Sequence, residues 1–155
     1  MKRFFRVLFL AATVTYSALC VALFFGQRAI IYHPPALSNE NTARILSMPV
    51  DGAELKISIH DSDNAKALIY FGGNADNVPL ILPYFEQAFP QQAIYMMNYR
   101  GYSGSMGEPT EAALHTDAKK LYALVRTKHR DITVVGRSLG SGIAVRLAAS
   151  QKVDK

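Results

Sequence analysis

The stretch ITVVGRSLG, residues 132–140, indicates both the fold and the chemistry of this chain. A short apolar strand leads into G-x-S-x-G, a sharp strand-to-helix turn that projects Ser138 above a sheet. Glycine is expected at Gly136 and Gly140 because the turn is strained and a side chain at either position would crowd the neighbours of the serine. The following helix N-terminus favours negative charge, and Leu139 contributes the N–H group of the residue after the nucleophile. The stretch therefore predicts a nucleophilic serine.

An ordinary glycine-rich turn in a Rossmann-like fold is the alternative interpretation of the same residues, because glycine and serine are common in turns. A dinucleotide or phosphate loop fits less well, since neither G-x-G-x-x-G nor G-x-x-x-x-G-K-[ST] occurs in the sequence. The position between an apolar strand and a helix favours the nucleophile.

The residues before this turn predict a hairpin followed by alternating strands and helices. Asp51-Gly52 separates two strand-like runs, 43–50 and 53–60, and the second alternates as a half-buried antiparallel strand does. Unbroken apolar runs at 67–71, 93–98 and 132–135 are typical of parallel strands buried on both faces, and helices are predicted over 77–89, 110–129 and 138–151. This order predicts an α/β fold with helices on both faces of the sheet.

The N-terminal residues predict a membrane anchor. The run from Val7 to Gly26 has no charge, and about 20 helical residues cross a hydrocarbon core of roughly 30 Å. Lys2, Arg3 and Arg6 precede it, so the positive-inside rule places the N-terminus in the cytoplasm and the remainder on the exported side, the periplasm if the source is bacterial. A cleaved signal peptide is the alternative, but its apolar part is usually about 7–15 residues long.

We therefore expect a signal-anchor over residues 1–26, a linker over 27–42 and one folded domain over 43–155. Three of the 17 basic residues precede the anchor, and the remaining 14 nearly balance the 12 acids. No basic stripe with interleaved aromatic residues occurs, so nucleic-acid binding is not expected. Cys20 is the only cysteine, which excludes a disulfide or a thiolate metal site within this chain.

Three motifs resemble those of the membrane-anchored α/β-hydrolases, a group of serine hydrolases that includes prolyl-oligopeptidase-like and dienelactone-hydrolase-like enzymes. YFGGNADN at 70–77 is similar to the family's His-Gly-Asn-Ala loop, and NYRGYSGSMGEP at 98–109 is similar to its D-Y-R-G-Y-G stretch. The turn at 136–140 is the third motif. Gly72 stands where histidine is usual and Asn98 where aspartate is usual, and we expect these departures to alter loop support rather than chemistry.

The resemblance implies an oxyanion hole formed by the backbone N–H groups of Asn74 and Leu139. Gly72 and Gly73 allow the backbone of the first loop to approach the serine. Arg100 is expected to brace its own loop, and Arg137 is expected at the rim of the site.

The resemblance also implies that the chain is the N-terminal portion of an α/β-hydrolase fold, truncated after the helix of the serine turn. The triad order is serine, then aspartate or glutamate, then histidine. Only QKVDK follows the last predicted helix, and Asp154 is too close to that helix to serve. No triad aspartate or histidine is therefore assigned, and the strand at 132–135 is expected to form a sheet edge. The histidines unsuited to the role are His33, His60, His115 and His129.

These observations predict a serine hydrolase that acts on an ester, thioester or amide through an acyl-enzyme on Ser138, inactive or weakly active as this chain. The acyl substrate would be a small molecule, a peptide or a lipid, and no cofactor or metal is implied. Two alternatives remain open: a non-catalytic membrane-anchored remnant or interaction module, and an acyltransferase on the same fold. The sequence does not indicate the oligomeric state.

Overall fold

The computed structural model describes residues 1–35 and 43–154, and the chain divides into two compact units, Met1–His33 and Pro34–Lys155. The first unit is one helix, α1 (Lys2–Ile31), with no buried residue. Its mean hydropathy of 2.2 over 18 residues makes it the one helix in the described ranges that is long and apolar enough to span a membrane. An N-terminal signal sequence can meet the same criteria of length and hydropathy. The helix extends past Gly26, so the first residues of the predicted linker are helical, and residues 36–42 lie outside the description.

The second unit is a five-stranded mixed sheet in the order β1-β2-β4-β3-β5. β1, β2 and β4 pair antiparallel, whereas β4, β3 and β5 run parallel. This arrangement confirms the expected α/β fold, in which a hairpin precedes parallel strands. Its elements are β1 (Arg44–Val50), β2 (Ala53–His60), β3 (Lys66–Phe71), α2 (Val78–Ala88), β4 (Ala93–Met97), α3 (Glu111–Arg126), β5 (Asp131–Gly136) and α4 (Leu139–Ser150).

The predicted hairpin forms at Asp51-Gly52, where Val50 pairs with Ala53 and Gly52 takes a φ of 68° that favours glycine. Strand β2 differs from the expected half-buried strand, because its polar Ser58 is fully buried. This strand lies between β1 and β4, which pair with its two edges, and helix α2 packs against it. The buried Ser58 hydroxyl accepts a hydrogen bond from the Asn98 side-chain amide at 3.1 Å.

The core explains why the inner strands lack alternation. All five residues of β4 are buried, so both faces of that strand must be apolar. Helix α2 covers one face, and α3 and α4, which pack against each other and against β3, β4 and β5, cover the other. Each large apolar side chain removed from water contributes about 1.5–3 kcal/mol. The cluster beneath α2 consists of Leu68, Tyr70, Val78, Leu82, Ile94 and Met96.

Helix α3 ends at Arg126, three residues before the predicted end, so His129 lies in the following loop rather than on the helix. Its buried ring lies 2.8 Å from the Asn64 carbonyl oxygen through Nδ1 and 3.0 Å from the Tyr95 hydroxyl through Nε2. Because a carbonyl only accepts, Nδ1 donates to Asn64, and Nε2 shares the second hydrogen bond with the Tyr95 hydroxyl. Both ring nitrogens of His129 therefore form hydrogen bonds that hold this loop against β4.

Strand β5 is at one end of the strand order, as the edge prediction required. Part of this edge is covered, because the Ile132 N–H donates to the Asp154 carboxylate at 2.7 Å and the Ile132 carbonyl accepts from the Asp154 N–H at 3.0 Å. Asp154 thus serves as a backbone partner of β5.

Candidate active site

Ser138 occupies a strained position between β5 and α4. Its φ of 49° and ψ of −116° are unusual for a residue with a side chain, and Ser103 is the only other non-glycine residue with positive φ in the described ranges. Such conformations cost on the order of 1–3 kcal/mol and persist where the surrounding structure imposes them. Ser138 is exposed and forms the N-cap of α4, which begins at Leu139 rather than at the serine itself.

The two glycines of the turn permit close backbone contacts. A Cβ atom at Gly136 would overlap the Gly140 carbonyl oxygen and lie 2.8 Å from Cβ of Ala144. A Cβ atom at Gly140 would overlap the Phe71 carbonyl oxygen and lie 2.7 Å from the Gly72 oxygen. The start of α4 therefore packs directly against the end of β3, which only glycine allows.

This packing brings the serine turn beside the loop 72–77. Phe71 pairs with Gly136 in the parallel sheet, and the Arg137 N–H donates to the Phe71 carbonyl at 3.0 Å. Both loops leave the carboxyl ends of neighbouring parallel strands, the edge at which α/β proteins bind ligands. The predicted residues Gly72, Gly73 and Ser138 thus lie in two adjacent loops.

The backbone of loop 72–77 is folded around Asp76. The Gly73 N–H donates to the Asp76 carboxylate at 2.7 Å, and the Gly73 carbonyl accepts from the Asp76 N–H at 3.3 Å. Because a trans peptide directs its C=O and N–H oppositely, the Asn74 N–H points away from Asp76. A Cβ atom at Gly72 would lie 3.1 Å from Cβ of Asp76, so the aspartate occupies the space into which a histidine at this position would extend.

Asp76 is the residue that the sequence interpretation missed. Its other contacts are the Tyr70 hydroxyl at 3.0 Å and the Arg137 guanidinium at 2.7 Å, and its side chain is 10% exposed. Burial, followed by the hydrogen bond to Asp76, raises the pKa of Tyr70 to about 12. The available signal was local: an aspartate three residues after a loop glycine is suited to accept that glycine's N–H.

Two tyrosines of the loop after β4 hold the same segment from another direction. The Tyr99 hydroxyl donates to the Gly72 carbonyl at 2.7 Å, and the Tyr102 hydroxyl donates to the Asn74 carbonyl at 2.9 Å. Both side chains are buried, and their rings meet edge to face at 5.5 Å. Two carbonyls of the loop are therefore directed toward the tyrosines, which restricts the orientations available to its N–H groups.

Arg100 braces its loop, as predicted. Its guanidinium forms bonds of 2.8 and 3.0 Å with the two carboxylate oxygens of Asp117 on α3, and it donates to the Asp51 carbonyl of the hairpin at 2.9 Å. The hydrogen bond to Asp117 raises the pKa of Arg100 further. This arginine therefore ties the loop after β4 to α3 and to the β1–β2 turn.

The second departure from the family motif, Asn98, also lies in the scaffold. Its side-chain amide donates to the Lys56 carbonyl at 2.8 Å and to the Ser58 hydroxyl at 3.1 Å. Its backbone carbonyl accepts a hydrogen bond from the Ser105 hydroxyl at 2.8 Å. An ionised aspartate has no N–H to donate to the Lys56 carbonyl, so asparagine suits this buried position.

The N–H of Leu139 makes no hydrogen bond within residues 1–35 and 43–154, whereas the next two amides donate to the Arg137 and Ser138 carbonyls at 2.9 Å. No histidine in these ranges forms a hydrogen bond with Ser138. His60 and His129 lie near the opposite end of the sheet, and His115 on α3 is near Glu111. The same ranges contain no cluster of three or more metal-ligating side chains.

No protein-family model matches the chain. The curated protein bem46 of Schizosaccharomyces pombe is 26% identical over 176 residues, covering 96% of this chain and 58% of bem46. The solved structure of the Pyrococcus furiosus esterase matches with 18% identity and a TM-score of 0.60, covering 76% of this chain and 52% of the esterase. Mouse alpha/beta hydrolase domain-containing protein 10 matches with 18% identity and a TM-score of 0.53, covering 72% and 47%. The chain has the α/β-hydrolase fold.

The part of the chain with this fold is the second unit, Pro34–Lys155. The whole chain spans about half the length of the three proteins that it matches. Membership of the prolyl-oligopeptidase-like branch and the function of the N-terminal helix stay predictions.

Proposed function

We propose that this protein is a serine hydrolase that cleaves an ester, thioester or amide through an acyl-enzyme on Ser138. The observation that carries the proposal is the backbone of Ser138, which has a positive φ at the N-terminus of a helix and beside a second glycine-rich loop. Strained residues cluster at active sites, where the strain positions a reactive group.

In the proposed reaction, the Ser138 hydroxyl attacks the acyl carbon and releases its proton to solvent water, from which the leaving group takes up a proton as it departs. The resulting tetrahedral oxyanion accepts hydrogen bonds from the N–H groups of Asn74 and Leu139. Collapse of the intermediate expels the alcohol, thiol or amine and leaves the acyl group on the serine, and water then releases the acid. The helix N-terminus behind Ser138 adds a favourable electrostatic field for the negative oxygen.

The described residues place no base against Ser138, so we expect its acylation to be slow in this chain. A serine hydroxyl is a weak nucleophile unless an adjacent base takes its proton. Oxyanion stabilisation and substrate binding alone can leave a residual acceleration of about 10³–10⁴ over water.

Labelling with a fluorophosphonate probe tests the nucleophile. We expect slow labelling of the full chain that disappears in Ser138→Ala and persists in Ser150→Ala, a matched change in a helix serine whose hydroxyl bonds only its own helix. Labelling that survives Ser138→Ala would refute the assignment. Complete absence of labelling would favour the non-catalytic alternative, and rapid stoichiometric labelling would mean that a base in this chain activates Ser138.

We also propose that α1 is an uncleaved anchor, with its N-terminus in the cytoplasm and the hydrolase unit on the exported side. The proposal is supported by the helix's length and hydropathy and by the three cations that precede its apolar run.

A further inference from the structure

Asp76 touches both loops of the proposed site. One carboxylate oxygen accepts from the Gly73 N–H and the Tyr70 hydroxyl, at 2.7 and 3.0 Å. The other accepts from the guanidinium of Arg137 at 2.7 Å, and Arg137 immediately precedes Ser138. A single side chain therefore joins the loop 72–77 to the serine turn.

We propose that Asp76, through its ion pair with Arg137, is a positioning residue that holds the two halves of the oxyanion site in register. The inference rests on the proposed function, since it concerns how the N–H groups of Asn74 and Leu139 converge. Neither Asp76 nor Arg137 is assigned contact with the reacting atoms.

The geometry of the bonds explains why a displacement would reach both halves. Gly73 donates its N–H to Asp76 and accepts the Asp76 N–H through its carbonyl, so the orientation of the Gly73–Asn74 peptide follows the aspartate. On the other side, Arg137 is anchored to Phe71 through its own N–H. Releasing the ion pair removes this side-chain link between the two loops, and a misplacement of about 1 Å is enough to cost on the order of 100-fold in rate.

The surroundings of the pair argue that it does more than stabilise the fold. The Arg137 side chain is 67% exposed, and exposed ion pairs contribute little to folding stability. Asp76, by contrast, is 10% exposed and has all three of its side-chain partners at the carboxyl ends of β3 and β5. Its contacts are concentrated where the two loops meet.

The test is a double-mutant cycle of Asp76→Asn and Arg137→Gln in the full chain, held in mild detergent. Arg146→Gln is the matched control, because the Arg146 side chain on α4 is comparably exposed, at 60%, and pairs with Glu111 at 3.2 Å, away from both loops. Two quantities are measured: the rate at which a fluorophosphonate labels Ser138, and the hydrogen-exchange rate of the Gly73 amide. Thermal unfolding verifies that every variant is folded.

We expect Arg137→Gln to slow labelling about 10-fold and Asp76→Asn up to about 100-fold, with the double variant no slower than Asp76→Asn alone. Arg137→Gln should also accelerate exchange at Gly73 several-fold, although the two residues are in different loops. Arg137→Lys, which keeps the charge, should restore most of the labelling rate, and Arg146→Gln should change neither quantity.

Multiplicative effects in the double variant, or unchanged Gly73 exchange in Arg137→Gln, would overturn the inference. The proposed function fails separately, if Ser138 is never labelled. In that case a Gly73 exchange rate that still responds to Arg137→Gln would show that Asp76 couples the loops of a non-catalytic protein.

Discussion

Replacement of Gly140 by alanine tests the packing of the serine turn. The new Cβ atom would overlap the Phe71 carbonyl oxygen and lie 2.5 Å from the Phe71 carbonyl carbon, below the 3.0 Å that Cβ atoms in proteins essentially never breach. The opposing atoms belong to the backbone of β3 and cannot move aside as a flexible side chain can. Helix α4 must therefore shift away from the sheet by something on the order of 1 Å.

Gly142 provides the control on the same helix, because a Cβ atom there would meet nothing within 4 Å. Gly142→Ala should stabilise the chain by about 0.5–1 kcal/mol, since alanine is the better helix former. Overpacking typically costs about 1–3 kcal/mol, and a clash with backbone belongs at the upper end. Both changes gain the helix propensity of alanine, so we expect Gly140→Ala to be about 3 kcal/mol less stable than Gly142→Ala, which is the overpacking term alone.

Urea unfolding of both variants in mild detergent, followed by circular dichroism, measures this difference. Fluorophosphonate labelling of the folded fraction adds a second readout, which we expect to fall about 100-fold for Gly140→Ala because the serine moves with the helix. If the two variants unfold with equal free energies, the close approach of α4 to β3 does not exist in solution.

Three further predictions follow from the contacts of the second unit and from the N-terminal helix. Tyr102→Phe should lower the unfolding free energy by about 1–3 kcal/mol, because it removes the buried hydroxyl that donates to the Asn74 carbonyl, whereas Tyr84→Phe, at a side chain 73% exposed, should change this free energy little. Equal losses in urea unfolding would contradict this. Asp117→Asn should cost about 3 kcal/mol by leaving the arginine of the loop after β4 without its charged partner, while Glu111→Gln in an exposed pair should cost under about 1 kcal/mol, as thermal unfolding can verify. A reporter enzyme fused after Lys155 should be active only in the exported compartment, and cytoplasmic activity would reverse the proposed topology.

The strands and the serine turn could be predicted from sequence because their signals are local. Asp51-Gly52 specifies the hairpin by its own turn geometry, and the apolar run of β4 reflects burial on both faces. The end of α3 was less predictable, since residues 127–130, between Arg126 and β5, contain no glycine or proline. The helix stops because the chain must turn to bury His129 and to donate the N–H groups of the next two residues to the Ala65 carbonyl.

The contacts that shape the candidate site could not be predicted, because they join residues distant in sequence. Asp76 and Arg137 are far apart along the chain, and each alone resembles an ordinary polar loop residue. The same holds for Tyr102, whose hydroxyl reaches the Asn74 carbonyl. Sequence identified the loops that carry the proposed chemistry, whereas the bonds that orient them depend on the order of strands in the sheet.

The position of β3 between β4 and β5 has a consequence for the order of folding. Both partners of β3 are made after it on the ribosome, so the loop 72–77 emerges from synthesis with no strand on either side of it. The β1–β2 hairpin can form early from contacts close in sequence, but β3 must wait for β4 and then for β5. The serine turn and the loop 72–77 are therefore expected to reach their final conformation together, and late in folding. The proposed site should not form on the nascent chain before β4 and β5 have paired with β3.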